Sequence, residues 1–165
     1  MKKAILTIFL AAFFINLQGQ EAKFQAMSVY DFTRMLQWPE EYRQGDFYIK
    51  VIGSSDIYDE IKAFTKDKRV RGEQNIVVER VSGNNPGKCH ILIVPESEST
   101  SLNEILANID TKGTLVVTQK TGLTHKGAGI SFIQDGKGRY RYNLANISDK
   151  QITVSTSFKQ IGEEN

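Results

Sequence analysis

Cysteine occurs once, histidine twice and proline three times in this 165-residue sequence, and each scarcity excludes something. A lone Cys89 cannot close an intrachain disulfide, so no covalent staple holds the fold. A zinc centre needs clustered ligands, and His90 and His125 stand far apart with no His-Glu-x-x-His or Cys-x-x-Cys spacing. There is no Gly-x-Ser-x-Gly elbow. Gly127-Ala128-Gly129 leads into a strand pattern and not a helix, so it is no phosphate-binding loop. No internal repeat or low-complexity segment is present. With 40% hydrophobic and 24% charged residues, the chain reads as globular and long enough to bury a core of its own.

A strong charge of either sign is also missing. Lys+Arg is 21 and Asp+Glu is 19, and two of the lysines are Lys2 and Lys3 in an acid-free start. Without them 19 bases face 19 acids, a near-neutral balance that points away from nucleic acid or an acidic partner. The apolar run Ala4–Ile15 falls well short of the roughly 20 residues that span a membrane. Charged start, apolar run and polar Asn16–Gln20 with small Gly19 form the secretory pattern. The expected division is a signal peptide over 1–20 and one domain over 21–165, exported, soluble and, for this bacterial style of leader, periplasmic. No cysteine follows the leader to carry a lipid, and no later stretch approaches spanning length, so no membrane insertion is expected after cleavage.

The domain reads as alternating helices and strands. Ala22–Trp38 is an expected helix with Phe24, Met27, Val29, Phe32, Met35, Leu36 and Trp38 in one broad arc, stopped by Pro39. Expected strands are 47–52, 76–81, 91–94, 114–118, 129–133 and 139–144; expected helices are 57–64 and 102–109. The 91–94 strand, apolar on both faces, belongs in the sheet centre. Asp135-Gly136-Lys137-Gly138 reads as a hairpin turn. Ile152–Ile161 fits either a strand or a helix. This order predicts an α/β fold: a mixed, mostly parallel sheet with helices on both faces and a C-terminal antiparallel hairpin. Phe32, Leu36, Ile52, Leu92, Ile93 and Phe132 are expected in its core.

Two segments stand out as candidate surfaces for a ligand or partner. Gly53-Ser54-Ser55-Asp56 follows the first strand and starts a helix, where open α/β sheets bind ligands and where free N–H groups favour an anion. The alternative is a plain helix cap by Ser54, Ser55 or Asp56. Arg139-Tyr140-Arg141-Tyr142 puts both arginines on one strand face and both tyrosines on the other, either as a two-faced edge strand or as a docking stripe. Cys89 reads as a buried inert thiol, with an intermolecular disulfide or a reactive nucleophile paired to His125 as the alternatives. His90 points to the opposite face from Cys89 and reads as a hydrogen-bonded, half-buried imidazole. His125 falls in an exposed loop.

Six segments in order resemble the YfiR-like family of bacterial periplasmic proteins. They are Tyr30–Pro39 with its Trp38-Pro39 ending, Phe47–Gly53, Val70-x-Gly72 before Ile76–Val78, Cys89–Val94 followed by Ser97, Leu115–Phe132, and Tyr140–Asn143 with Ile152-x-Val154-Ser155. The chain departs from that pattern in having Asp31 for an asparagine, Thr156-Ser157 for Ser-Lys, and none of the additional cysteines. The resemblance implies an α/β regulator that is often dimeric and carries no catalytic residues or cofactor. It further implies that the protein restrains the periplasmic part of an inner-membrane sensor, a diguanylate cyclase or a kinase, and so acts on cyclic-di-GMP and biofilm formation. A soluble ligand-binding sensor acting with a histidine kinase is the other reading of the same features, and a small hydrolase using Cys89 or His125 is a third.

Overall fold

The computed structural model describes residues 2–109, 112–135 and 137–165, with side chains from residue 19 onward. Side chains of the expected leader up to residue 18, and Gly136 of the expected turn, lie outside the described residues.

Helix α1 (Lys2–Met35) ends earlier than expected, and Leu36–Gln37 continues as a short strand, β1. Trp38 precedes Pro39, whose ring disfavours helical backbone before it, and the extended segment pairs antiparallel with β9 (Thr153–Val154). The buried face of α1 is Ala22, Gln25, Ala26, Val29, Phe32 and Thr33, with Leu36 buried just beyond it on β1, whereas Met27 is 39% exposed. The expected arc was therefore rotated: large apolar residues drew it, but small and polar ones occupy the side where the helix lies close to the sheet.

Strand β2 (Phe47–Ile52) leads through Gly53–Ser55 into α2 (Asp56–Thr65). A short strand β3 (Arg69–Val70) turns tightly into β4 (Gln74–Val81). β5 (Ile91–Val94) is followed by a 3-10 run over Glu96–Ser101 and α3 (Leu102–Asn108). Then come β6 (Leu115–Thr118), β7 (Ile130–Phe132) and β8 (Tyr140–Tyr142). α4 (Leu144–Ser148), β9, α5 (Thr156–Ile161) and β10 (Glu163–Glu164) complete the order. The ambiguous segment is thus both a strand and a helix, divided at Ser155, whose hydroxyl caps α5 by accepting from the Phe158 N–H at 3.2 Å.

The main sheet has the order β10-β8-β7-β6-β5-β2-β4-β3. β4, β2, β5, β6 and β7 run parallel, β7–β8 is the antiparallel hairpin, and β3–β4 a second one. The Arg139–Tyr142 segment is not an edge: β10 adds in parallel beyond β8, pairing Glu163 with Arg141. Alternation along each strand sorts the core into two layers. Phe47, Ile49, Val51, Ile91, Ile93 and Val117 pack with α1, α2 and α5 on one face. Ile52, Leu92, Val94 and Val116 pack with α3 on the other. All six expected core residues are buried. Phe32 anchors the first layer, its ring edge-on to Tyr140 at 4.8 Å and close to Phe132 and Phe158.

Candidate functional site

From β2 the chain crosses through α2 to β4, then returns to the opposite side of β2 as β5. Beyond the carboxyl ends of the strands at this reversal lies a cleft, lined by α1 and by residues that follow β2, β5, β6 and β7. Gly53, in the turn that follows β2, has φ +67°, and a Cβ at this position would meet Glu98 Oε1 at 2.8 Å. The Gly53 N–H donates to the Val81 carbonyl at 2.9 Å, which fixes the turn.

Ser55 is the residue before α2 in extended backbone, yet its hydroxyl makes no capping bond. It donates instead to Gln119 Oε1 at 3.0 Å, just beyond β6. Gln119 Nε2 donates to Gln25 Oε1 at 2.7 Å, and Gln25 Nε2 donates to Glu21 Oε1 at 3.2 Å. A one-directional chain of hydrogen bonds therefore runs from α2 across the sheet end to α1 and finishes on a carboxylate. Gln25 is only 2% exposed, so this chain is what satisfies its amide. Beside it Gln134 Nε2 donates to Glu96 Oε2 at 2.7 Å.

The cleft holds about 220 Å³, and Glu21, Asp56 and Glu96 bring carboxylates to its lining while no lysine or arginine lines it. The Glu21 carboxyl is pushed above the usual carboxylate range, first by burial and then by Asp135 and Glu96, against the opposing bond from Gln25. The anion expected at the start of α2 is therefore disfavoured. Chemically, the carboxylate oxygens of this lining suit a cationic or multiply hydroxylated group better than an anion. Of the expected residues, Ser55 and Asp56 line the cleft, whereas Gly53 and the exposed Ser54 do not.

Arg139 and Arg141 project from the exposed side of β8. Glu163 on β10 takes both, at 3.2 Å from Arg139 Nη1 and 3.1 Å from Arg141 Nε, and Asp135 takes Arg139 as well. Their charge is thus matched within the chain. The tyrosines of the same strand are buried, with the Tyr140 hydroxyl donating to the Phe158 carbonyl at 3.3 Å. Asp135 joins the two candidate surfaces, since it acts on Glu21 and bonds Arg139.

Cys89 is fully buried, and His125 is exposed. His90 is 4% exposed, deeper than expected, and sits opposite Cys89. Its Nδ1 accepts from the Tyr48 N–H at 3.0 Å, so Nε2 carries the proton and donates to the Tyr42 carbonyl at 2.8 Å. Among the described residues no group of His, Cys, Asp and Glu could hold a metal ion.

The sequence reading missed Glu21, Gln25, Glu96, Gln119 and Gln134. The available signals were a glutamine facing the core side of α1 and polar residues within two positions of the ends of β5, β6 and β7.

The fold and the cleft define a class: a doubly wound α/β domain with a polar, acidic cleft at its switch point. Residues 22–162 match the YfiR/HmsC-like family, and the chain belongs to it. Proteins of this family are periplasmic regulators of cyclic-di-GMP cyclases rather than enzymes. No curated protein matches the chain. No helix among the described residues is long and apolar enough to cross a membrane.

Proposed function

We propose that this chain is a non-enzymatic periplasmic regulator that docks on the extracytoplasmic part of an inner-membrane diguanylate cyclase and holds it in its off state. The observation that carries this reading is the family match, which covers residues 22–162, all of the α/β domain up to its last strand, β10. The protein supplies a coupling free energy between an envelope signal and the cyclase and performs no chemistry. Removal of residues 1–20 delivers it to the compartment, where it works as a soluble protein or homodimer. The surface at the carboxyl end of the sheet, from Gly53, Ser54, Ser55 and Asp56 across Asp135 to Arg139 and Arg141, is the face we assign to ligand or partner. Deleting the gene should raise cyclic-di-GMP and biofilm, and the tagged protein should capture a cyclase from membranes. Unchanged nucleotide with no cyclase captured refutes it.

The cleft itself favours a second reading, a small-ligand sensor acting with a histidine kinase, because it is a built recess with a satisfied polar lining. Capture of a kinase in the same experiment selects that reading.

A further inference from the structure

A second recess lies at the other end of α1, where the helix gives way to β1. Its floor is Leu36, Trp38, Phe47 and Val70, all at most 4% exposed, and it holds about 260 Å³. Arg43 and Arg71 stand on its rim. Arg43 Nε donates to the Trp38 carbonyl at 2.8 Å, and Arg71 Nη2 reaches the Leu36 carbonyl at 3.4 Å. Each guanidinium thereby has one N–H group tied to backbone and others left over. Neither is ion-paired among the described residues, unlike Arg34, Arg80, Arg139 and Arg141. Glu73 is the only carboxylate of the lining among the described residues, so the rim they form carries a net positive charge.

The residue at position 71 is unusual for its backbone. The β3–β4 turn closes with the Glu73 N–H on the Val70 carbonyl at 3.0 Å, and both central residues have positive φ, +52° at Arg71 and +79° at Gly72. Such a turn prefers Asn, Asp or Gly at its first central position. Arginine there is not a choice the turn makes; it places a second guanidinium beside an aromatic floor. Two guanidinium groups on the polar rim of a recess with an apolar floor suit a carboxylate attached to a compact apolar body.

We propose that this recess is a binding site for a small monocarboxylate with a flat or branched apolar body, independent of the reading of the cyclase as partner. Trp38 is the only tryptophan, so its emission reports on the recess directly. The probe is phenylacetate, titrated into the full domain at neutral pH, with calorimetry as a second readout that does not depend on emission. Acetate and benzyl alcohol test the charge and the apolar body separately. Phenylacetate should saturate, with each control at least about tenfold weaker. Arg71→Gly should weaken phenylacetate by about tenfold or more while leaving the melting temperature equal or higher, because glycine suits φ +52°. Arg43→Gln should weaken it similarly, and Arg69→Gln, away from the recess, should not. No saturable signal in either readout, equal binding of benzyl alcohol, or full affinity in Arg71→Gly overturns the proposal.

Discussion

Replacing His90 with phenylalanine tests whether the imidazole is a structural hydrogen-bonding element. The substitution keeps an aromatic ring against Phe47, now at 4.2 Å from the imidazole, and removes only the two polar bonds. They are not equal losses. The Tyr42 carbonyl also accepts from Gln74 Nε2 at 3.1 Å, so it keeps a partner. The Tyr48 N–H gives its proton to Nδ1 and is left unpaired. An orphaned donor costs about 1–3 kcal/mol and the second lost bond about 1 more, so His90→Phe should destabilise by about 2–4 kcal/mol. Urea denaturation followed by Trp38 emission measures this. The pH dependence sharpens it. Burial, with a smaller push from Lys88, holds the imidazole below its ordinary value, against the bond to Tyr42. Between that depressed value and about 6.5 the unfolded chain binds more protons than the folded one. Stability from neutral His90 is therefore full above about pH 6.5 and is lost as pH falls below it. The gap between wild type and His90→Phe should be widest near pH 7.5 and narrow toward pH 5, both about a unit or more from that midpoint. A gap under about 0.5 kcal/mol at the higher pH, or one that does not change with pH, refutes the reasoning.

Three further outcomes follow from the geometry. Phe32→Ala empties a site ringed by Phe132, Tyr140 and Phe158 and should cost about 3–5 kcal/mol by denaturation, with a small-residue loss below about 1 kcal/mol contradicting the packing described. Gly53→Ala adds a Cβ at φ +67° against Glu98 and should cost about 1–2 kcal/mol, seen as a lower melting temperature. Glu21→Gln should raise the melting temperature at neutral pH. The raised carboxyl means that the folded state binds the proton more tightly, so ionisation costs stability above that value, and the advantage should fade in acid.

Much of the fold was legible because its strands announce themselves twice, by apolar content and by bounding turn residues. Phe47–Ile52 and Ile91–Val94 match the expected limits residue for residue. The parallel arrangement followed from helices standing between strands. What failed was local pattern where tertiary pairing decides. Leu36 and Gln37 lie within a helical pattern, yet Val154 and Thr153 offer hydrogen bonds that extended backbone alone can take. β10 is two glutamates after Gly162, a segment with no strand propensity, held by pairing with β8 and by the two arginines on Glu163.

The position of the cleft was legible in the sequence, and its charge was not. The rule that ligands bind beyond the carboxyl ends of parallel strands needs only the strand order, and it led to Gly53–Asp56. The charge of the place is set by residues from α1 and from the segments after β5, β6 and β7, which no spacing links. Glu21 and Glu96 are 75 residues apart and neither is conspicuous alone. The helix start offers partial positive charge equivalent to about half an elementary charge, confined to its first turn. Against it stand three full carboxylates on one small cleft, so the carboxylates decide the sign. The capping reading failed for a related reason. The Ser55 hydroxyl has one proton to give, and Gln119 Oε1 accepts it. That bond lets Gln119 present its amide nitrogen to Gln25, which is buried at the α1 surface and would otherwise lack a donor for its Oε1. An unpaired buried amide costs more than an uncapped helix whose first N–H groups face an open cleft, so the network takes the serine and the cap is forgone.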